Sequence, residues 1–404
     1  MSSRIDPNVL LDLKKFGEKG SVNIEACFNC GTCTATCPLT SDDHPFPRNS
    51  LRLVQMGLTD RLTNSLDPWL CYYCGDCTAT CPRGAEPAEA QMALRRWLTA
   101  QYDWTGLARK FYTSKVWEIG SVLVVSALVI LAFVFFHGPI VTERVELNTF
   151  APVEIVHFWD WVMAGFLSFF LLTNAWRMVT FTMRRGKQKK IPLSIYVSEL
   201  WHLPYHFATQ KQWSSCAEER PSWITHLFLV SGYVLMLVII VFFLKWFQTD
   251  NIYPIWHLQR WLGYYATIVL LYGAGRAIWG RVQKARQMHR FSHTSDWMFP
   301  ILLFAVTLSG ILVHIFRYAG LPLATYVTYV IHLALLVPML VLEVPFGKWS
   351  HLAYRPLAIY FEAVQIKAKE MESAELAPAT IKKSSTGSNG NKENGTQIYA
   401  DKRR

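Results

Sequence analysis

Cys27–Pro38 reads CFNCGTCTATCP, and Cys71–Pro82 reads CYYCGDCTATCP. Both follow C-x2-C-x2-C-x3-C-P, the bacterial run that ligates [4Fe–4S] cubes. The close spacing lets one tight loop present three thiolates to one cube. The fourth Cys is carried off by the following turn and serves the other cube. Cys27, Cys30, Cys33 and Cys81 are therefore expected to hold one cluster, and Cys71, Cys74, Cys77 and Cys37 the other. Zinc is the competing ligand, but it favours two CxxC pairs over four Cys in one run. Between the runs, Asn49–Met56 (NSLRLVQM) carries apolar residues at helical spacing with little period-2 alternation. After them, Pro87–Gln101 is rich in helix formers. The front end is thus predicted to be an all-helical two-cluster module. Cys216, the last of nine Cys, is left as a lone thiol.

Outward from the cysteines the composition changes. Of 404 residues, 51% are hydrophobic and only 17% charged, against about 25% charged in soluble domains. Much of the surface therefore faces something other than water. Six stretches approach the roughly 20 apolar residues needed to cross a bilayer: 116–136, 155–180, 224–247, 258–280, 297–319 and 323–346. The fourth is interrupted by Arg260 and Arg276. The net charge of +11 sits in loops beside apolar stretches, which favours a lipid surface over nucleic acid. Arg184, Arg185, Lys187, Lys189 and Lys190 follow the second stretch; Arg281, Lys284, Arg286 and Arg290 follow the fourth. By the positive-inside rule both loops are cytoplasmic, and six crossings put both termini there in a multi-pass protein of the cytoplasmic (inner) membrane. Met1–Cys27 lacks a signal-peptide pattern, and Cys in a reducing compartment argues for metal ligation over disulfides. The expected fold is all-α, in three parts. Residues 1–112 form the cluster domain, 113–350 the membrane bundle, and 351–404 a cytoplasmic tail, disordered from about 372.

Intramembrane polar groups are costly and mark function. A haem b between helices needs two His at matching depth. Among twelve His, His332 lies deep in the last stretch and His351 at its cytoplasmic end. His226 begins the third stretch and matches His351 in depth. These two are expected to hold a cytoplasmic-side haem. His332 is expected to hold an outer one, with His157 or His314 as its mate. Gly165, Gly232 and Gly310 would let a porphyrin approach. His137, His257, His289 and His293 read as interfacial. Glu343 and Asp160 are read either as groups that exchange quinol protons or as interfacial carboxylates paired to a neighbouring Arg or Lys.

With these motifs placed, the front end resembles the small iron–sulfur subunit of heterodisulfide reductases. The membrane part resembles the cytochrome b subunits of respiratory nitrate reductase and membrane heterodisulfide reductase. That likeness rests on Val330–Pro356, with its early His332 and then VLEVPFGKWSH ending at His351. The fusion order is similar to that of the membrane component of the quinone-interacting membrane-bound oxidoreductases (Qmo), the one lettered C. The resemblance implies two cytoplasmic flavin and iron–sulfur subunits related to heterodisulfide reductase A, and electron flow between menaquinol and adenylylsulfate reductase. In the nitrate-reductase type a second His lies about ten residues beyond the equivalent of His226; here that place is near Met236. The alternatives are a membrane arm of a heterodisulfide- or sulfite-reductase-linked complex, and a haem-free anchored ferredoxin or redox sensor.

Overall fold

The computed structural model describes residues 5–41, 44–184, 191–215 and 220–376. Cys216, the basic residues Arg185–Lys190 and the tail from 377 lie outside them. The described chain is mostly helical, with one isolated bridge between Ser41 and His44 and no sheet.

The front end contains α1 (Val9–Lys14), α2 (Thr32–Thr36), α3 (Arg48–Gln55), α4 (Thr59–Thr63), α5 (Asp67–Leu70), α6 (Asp76–Ala79), α7 (Pro87–Tyr102) and α8 (Leu107–Thr113). The two stretches predicted to be helical are α3 and α7. Long helices follow: α9 (Lys115–Phe136), the short α10 (Leu147–Phe150) and α11 (Val153–Val179), which continues as a π turn to Arg184. Two short helices, α12 (Leu193–Ser198) and α13 (His202–Thr209), expose Leu193, Val197 and Phe207, with Trp201 exposed between them, a composition suited to a membrane interface. Then come α14 (Arg220–Phe247), α15 (Leu258–Gln283), α16 (Thr294–Tyr318), α17 (Pro322–Pro338) and α18 (His351–Leu376). A π turn, Met339–Glu343, extends α17.

Five helices are long and apolar enough to cross a membrane: Lys115–Phe136, Val153–Met183, Arg220–Phe247, Thr294–Tyr318 and Pro322–Glu343. Their outer faces leave Val116, Phe136, Leu172 and Phe242 exposed, where lipid would cover them. The fourth expected stretch is the 26-residue α15, packed between α14 and α16. Its arginines have local partners: Arg276 donates to Thr225 Oγ1 (2.5 Å) and Arg260 to His314 Nδ1 (3.1 Å).

The expected tail begins instead as α18, which is helical to Leu376. Tyr354, Ala358, Phe361 and Val364 form one apolar stripe at helical spacing. They share a core with Leu13, Leu51, Leu94 and Leu98 of the front end, and with Met178, Met183 and Phe346 of the membrane part. Each such buried side chain contributes about 2 kcal/mol. The front end and the bundle are therefore joined by a common core. Arg96 pairs with Asp296 of α16 (2.8 Å), and Arg177 of α11 donates to Tyr102 O (2.8 Å).

Candidate functional site

The two Cys runs fold alike. Asn29 and Tyr73 take φ of +57° and +59°, and Gly31 and Gly75 both take +93° where they cap α2 and α6. This left-handed step suits Gly and turns each loop inward. The Asn29 and Tyr73 N–H groups donate to Cys27 Sγ (3.4 Å) and Cys71 Sγ (3.3 Å). Helices α2 and α6 pack together, with the Thr36 and Thr80 hydroxyls 3.3 Å apart. The crossing exchanges the fourth cysteines. Cys27, Cys30, Cys33 and Cys81 line one cavity, and Cys37, Cys71, Cys74 and Cys77 line another. Among the described residues no three His, Cys, Asp or Glu converge tightly enough for a single ion. The quartets ring cavities, as a cube requires and a lone zinc does not.

The quartets differ in exposure. Cys30 is exposed, whereas Cys71 and Cys77 are buried. Burial pushes the Cys37 thiol up to about 12 and raises Cys77 further, so bare thiolates there are costly unless iron compensates them. We call the Cys71-containing quartet inner and the Cys27-containing one outer. Arg290 pairs with Glu86 (3.0 Å), and the loop after α15 brings Gln287 against Gly75, so the inner quartet abuts the membrane part.

Three histidines share one hydrogen-bond pattern. Nδ1 of His226 donates to Gln210 Oε1 (2.7 Å), Nδ1 of His351 to Lys348 O (2.7 Å) and Nδ1 of His332 to Val306 O (3.0 Å). A carbonyl can only accept, so the proton sits on Nδ1 and Nε2 keeps its lone pair, the tautomer a metal-ligating imidazole would need. Burial pushes the His351 imidazole down to about 3, so it is neutral. His226 and His351 lie within electrostatic reach of each other at the end of the bundle nearest the cysteine domain. The Trp213 ring stands 5.1 Å from His226 and 6.0 Å from Tyr72, the residue after Cys71.

The outer histidines have separate hydrogen-bond partners. His332 lies ten residues, about 15 Å, inside its helix end, whereas His157 and His314 lie four residues, about 6 Å, inside theirs. His314 uses both nitrogens, with Arg260 (3.1 Å) and Tyr264 (2.9 Å). His157 Nε2 meets Val241 O (3.1 Å) and Trp161 Nε1 (3.2 Å). Gly310 leaves room for His332, whose Cε1 lies 3.1 Å from where a Cβ would stand. Gly232 receives Val269 of α15, and Gly165 faces open space. His257 and His293 cap α15 and α16, His137 stacks on Phe150, and His289 packs on Gly280.

Buried charge collects at the helix ends that face the cysteine domain. Glu343 accepts from Lys348 N (3.3 Å), and the Lys348 ammonium pairs with Asp296 (2.5 Å). Asp160 sits half-buried seven residues into α11. Sequence reasoning missed Glu118, which is buried in the first turn of α9, its Oε2 without a partner. An acid in a first helical turn reads as dipole compensation, and nothing local announces its burial.

Residues 23–85 match a family model described as a 4Fe-4S dicluster domain. The chain is 29% identical over 121 residues to the iron–sulfur C subunit of the CoB–CoM heterodisulfide reductase of Methanopyrus kandleri, covering 29% of this chain and 62% of that protein. It is 33% identical over 92 residues to a protein of Archaeoglobus profundus described as like the C subunit of heterodisulfide reductase, covering 22% and 49%. This chain thus spans less than two thirds of either relative. No solved structure matches significantly. Fold and site together define an iron–sulfur electron-transfer protein with helices fit to cross a membrane. Its front end is a two-cluster domain similar to the C subunit of heterodisulfide reductase.

Proposed function

We propose that this chain is the membrane subunit of a quinone-linked oxidoreductase of the Qmo type. It passes electrons between menaquinol and cytoplasmic flavin and iron–sulfur subunits related to heterodisulfide reductase A, with adenylylsulfate reductase as the redox partner. The observation that carries this is the line His351/His226, Trp213, Tyr72, Cys71, which runs from the cytoplasmic end of the helices to the inner quartet. Haem b on the His pair and [4Fe–4S] clusters on the quartets supply one-electron transfer. Cys37, Cys71, Cys74 and Cys77 hold the proximal carrier, and Cys27, Cys30, Cys33 and Cys81 the distal one facing the partner. Lys348 O and Gln210 Oε1 orient the imidazoles. Glu343, with Asp160 at the outer end, exchanges quinone protons. A second haem at His332 would take His157 or His314 as its mate; the reading rests on the inner pair. Six crossings, with both termini cytoplasmic in the inner membrane, complete it.

The test is haem content beside iron content. Purified chain should show haem b by its reduced spectrum, and His351→Ala should lose that absorbance while retaining cluster iron. A wild-type chain with clusters but no haem would leave the anchored-ferredoxin reading standing. The relatives' identity favours one rival, a membrane arm of a heterodisulfide-reductase-linked complex. Cytoplasmic subunits that co-purify with the tagged chain decide between the two.

A further inference from the structure

Two guanidinium groups converge on one backbone oxygen at the edge of the inner quartet. Arg95 of α7 donates Nη2 to Cys71 O and Nε to Pro68 O. Arg355 of α18 donates its own Nη2 to the same Cys71 oxygen, and its guanidinium carbon lies 4.0 Å above the Tyr72 ring. Among the described residues neither Arg has a carboxylate in salt-bridge range, and the buried Arg355 Nε has no partner. Two like charges on one acceptor repel, and a carbonyl dipole does not neutralise them. The arrangement is favourable when a nearby group carries net negative charge, as a cube bound by four thiolates does. Arg355 also follows His351 by one helical turn, so the same helix face carries both.

We propose that Arg355 and Arg95 form a positioning clamp that raises the reduction potential of the inner cluster above the value it would otherwise have. A fixed positive charge favours the more negative, reduced cube, so the clamp makes the inner cluster the readier electron acceptor of the two. At the outer quartet the matching Cys27 oxygen accepts from the uncharged Gln55 amide (2.9 Å), and the arginines that line its cavity are Arg48, whose Nη1 approaches Gly31, and Arg83, which lies 4.2 Å above the Phe28 ring. The inference rests on the two-cluster reading and not on haem.

The test is a redox titration of the purified full chain followed by electron paramagnetic resonance, with iron counted in each variant. Arg355→Gln should make one cluster at least tenfold harder to reduce, about 59 mV more negative for one electron, and leave the other unmoved. Arg355→Lys should recover part of the shift. Arg48→Gln should move the other signal and so assign the pair. With iron intact, unchanged potentials in Arg355→Gln, or equal shifts in both clusters, overturn the clamp. Should Arg355→Gln lose iron, Arg95→Gln carries the same reading, and two unmoved clusters there with iron intact overturn it. A wild-type chain with about four iron atoms sinks the two-cluster reading instead.

Discussion

Cys74 belongs to the inner quartet, and among the described residues the other thiols that line that cavity are Cys37, Cys71 and Cys77. Cys74→Ser should therefore lower iron from about eight to about four atoms per chain, measured by colorimetric iron analysis; tightly bound zinc in the wild type would refute the assignment. His332→Ala probes a different question. If His332 only fills the space beside Gly310, haem content stays intact and stability falls. Loss of a second haem signal would show that the outer site exists. At this scale the cysteines were legible because their spacing is local: three ligands lie within one loop. The His226–His351 pair was legible by counting rise along helices. The mates of His332 were not, because their level depends on where each helix starts in space. Glu118 and the Arg96–Asp296–Lys348 group depend on contacts between distant segments and leave no mark in the sequence.

The capping glycines of α2 and α6 are equivalent in backbone but not in surroundings. A Cβ on Gly75 would stand 2.9 Å from Gln287 Cβ, whereas one on Gly31 would meet only the flexible end of Arg48 at 3.2 Å. Left-handed strain costs either alanine about 1–2 kcal/mol, and Gly75→Ala must in addition push back the loop after α15. Chelator-driven cluster loss should therefore be faster in Gly75→Ala than in Gly31→Ala; equal rates would mean that the loop does not hold the inner quartet. Long apolar helices were readable from the sequence to within a few residues, since bilayer thickness sets their length. The helix α18 was not. Its stripe is matched to the front end, and mixed helical composition after a membrane span looks like any tail until its partner is known. The short α12 and α13 were missed because neither is long enough to show a period.

The cysteine domain packs on one end of the long helices, so the topology has one simple check. A reporter fused to the C-terminal residue should behave as cytoplasmic, as should one fused before the first Cys run; opposite sides for the two would mean an odd number of crossings and exclude α15 as a span. The shared core has a further consequence in time. Translation delivers the cysteines first and Tyr354, Phe361 and Val364 last. A nascent chain that has emerged only as far as Thr113 lacks the side chains that close over Leu51, Leu94 and Leu98. The chain must be made as far as Val364 before the front end has its full set of core side chains. Completion of that core is thereby ordered behind synthesis of the long helices that lie between.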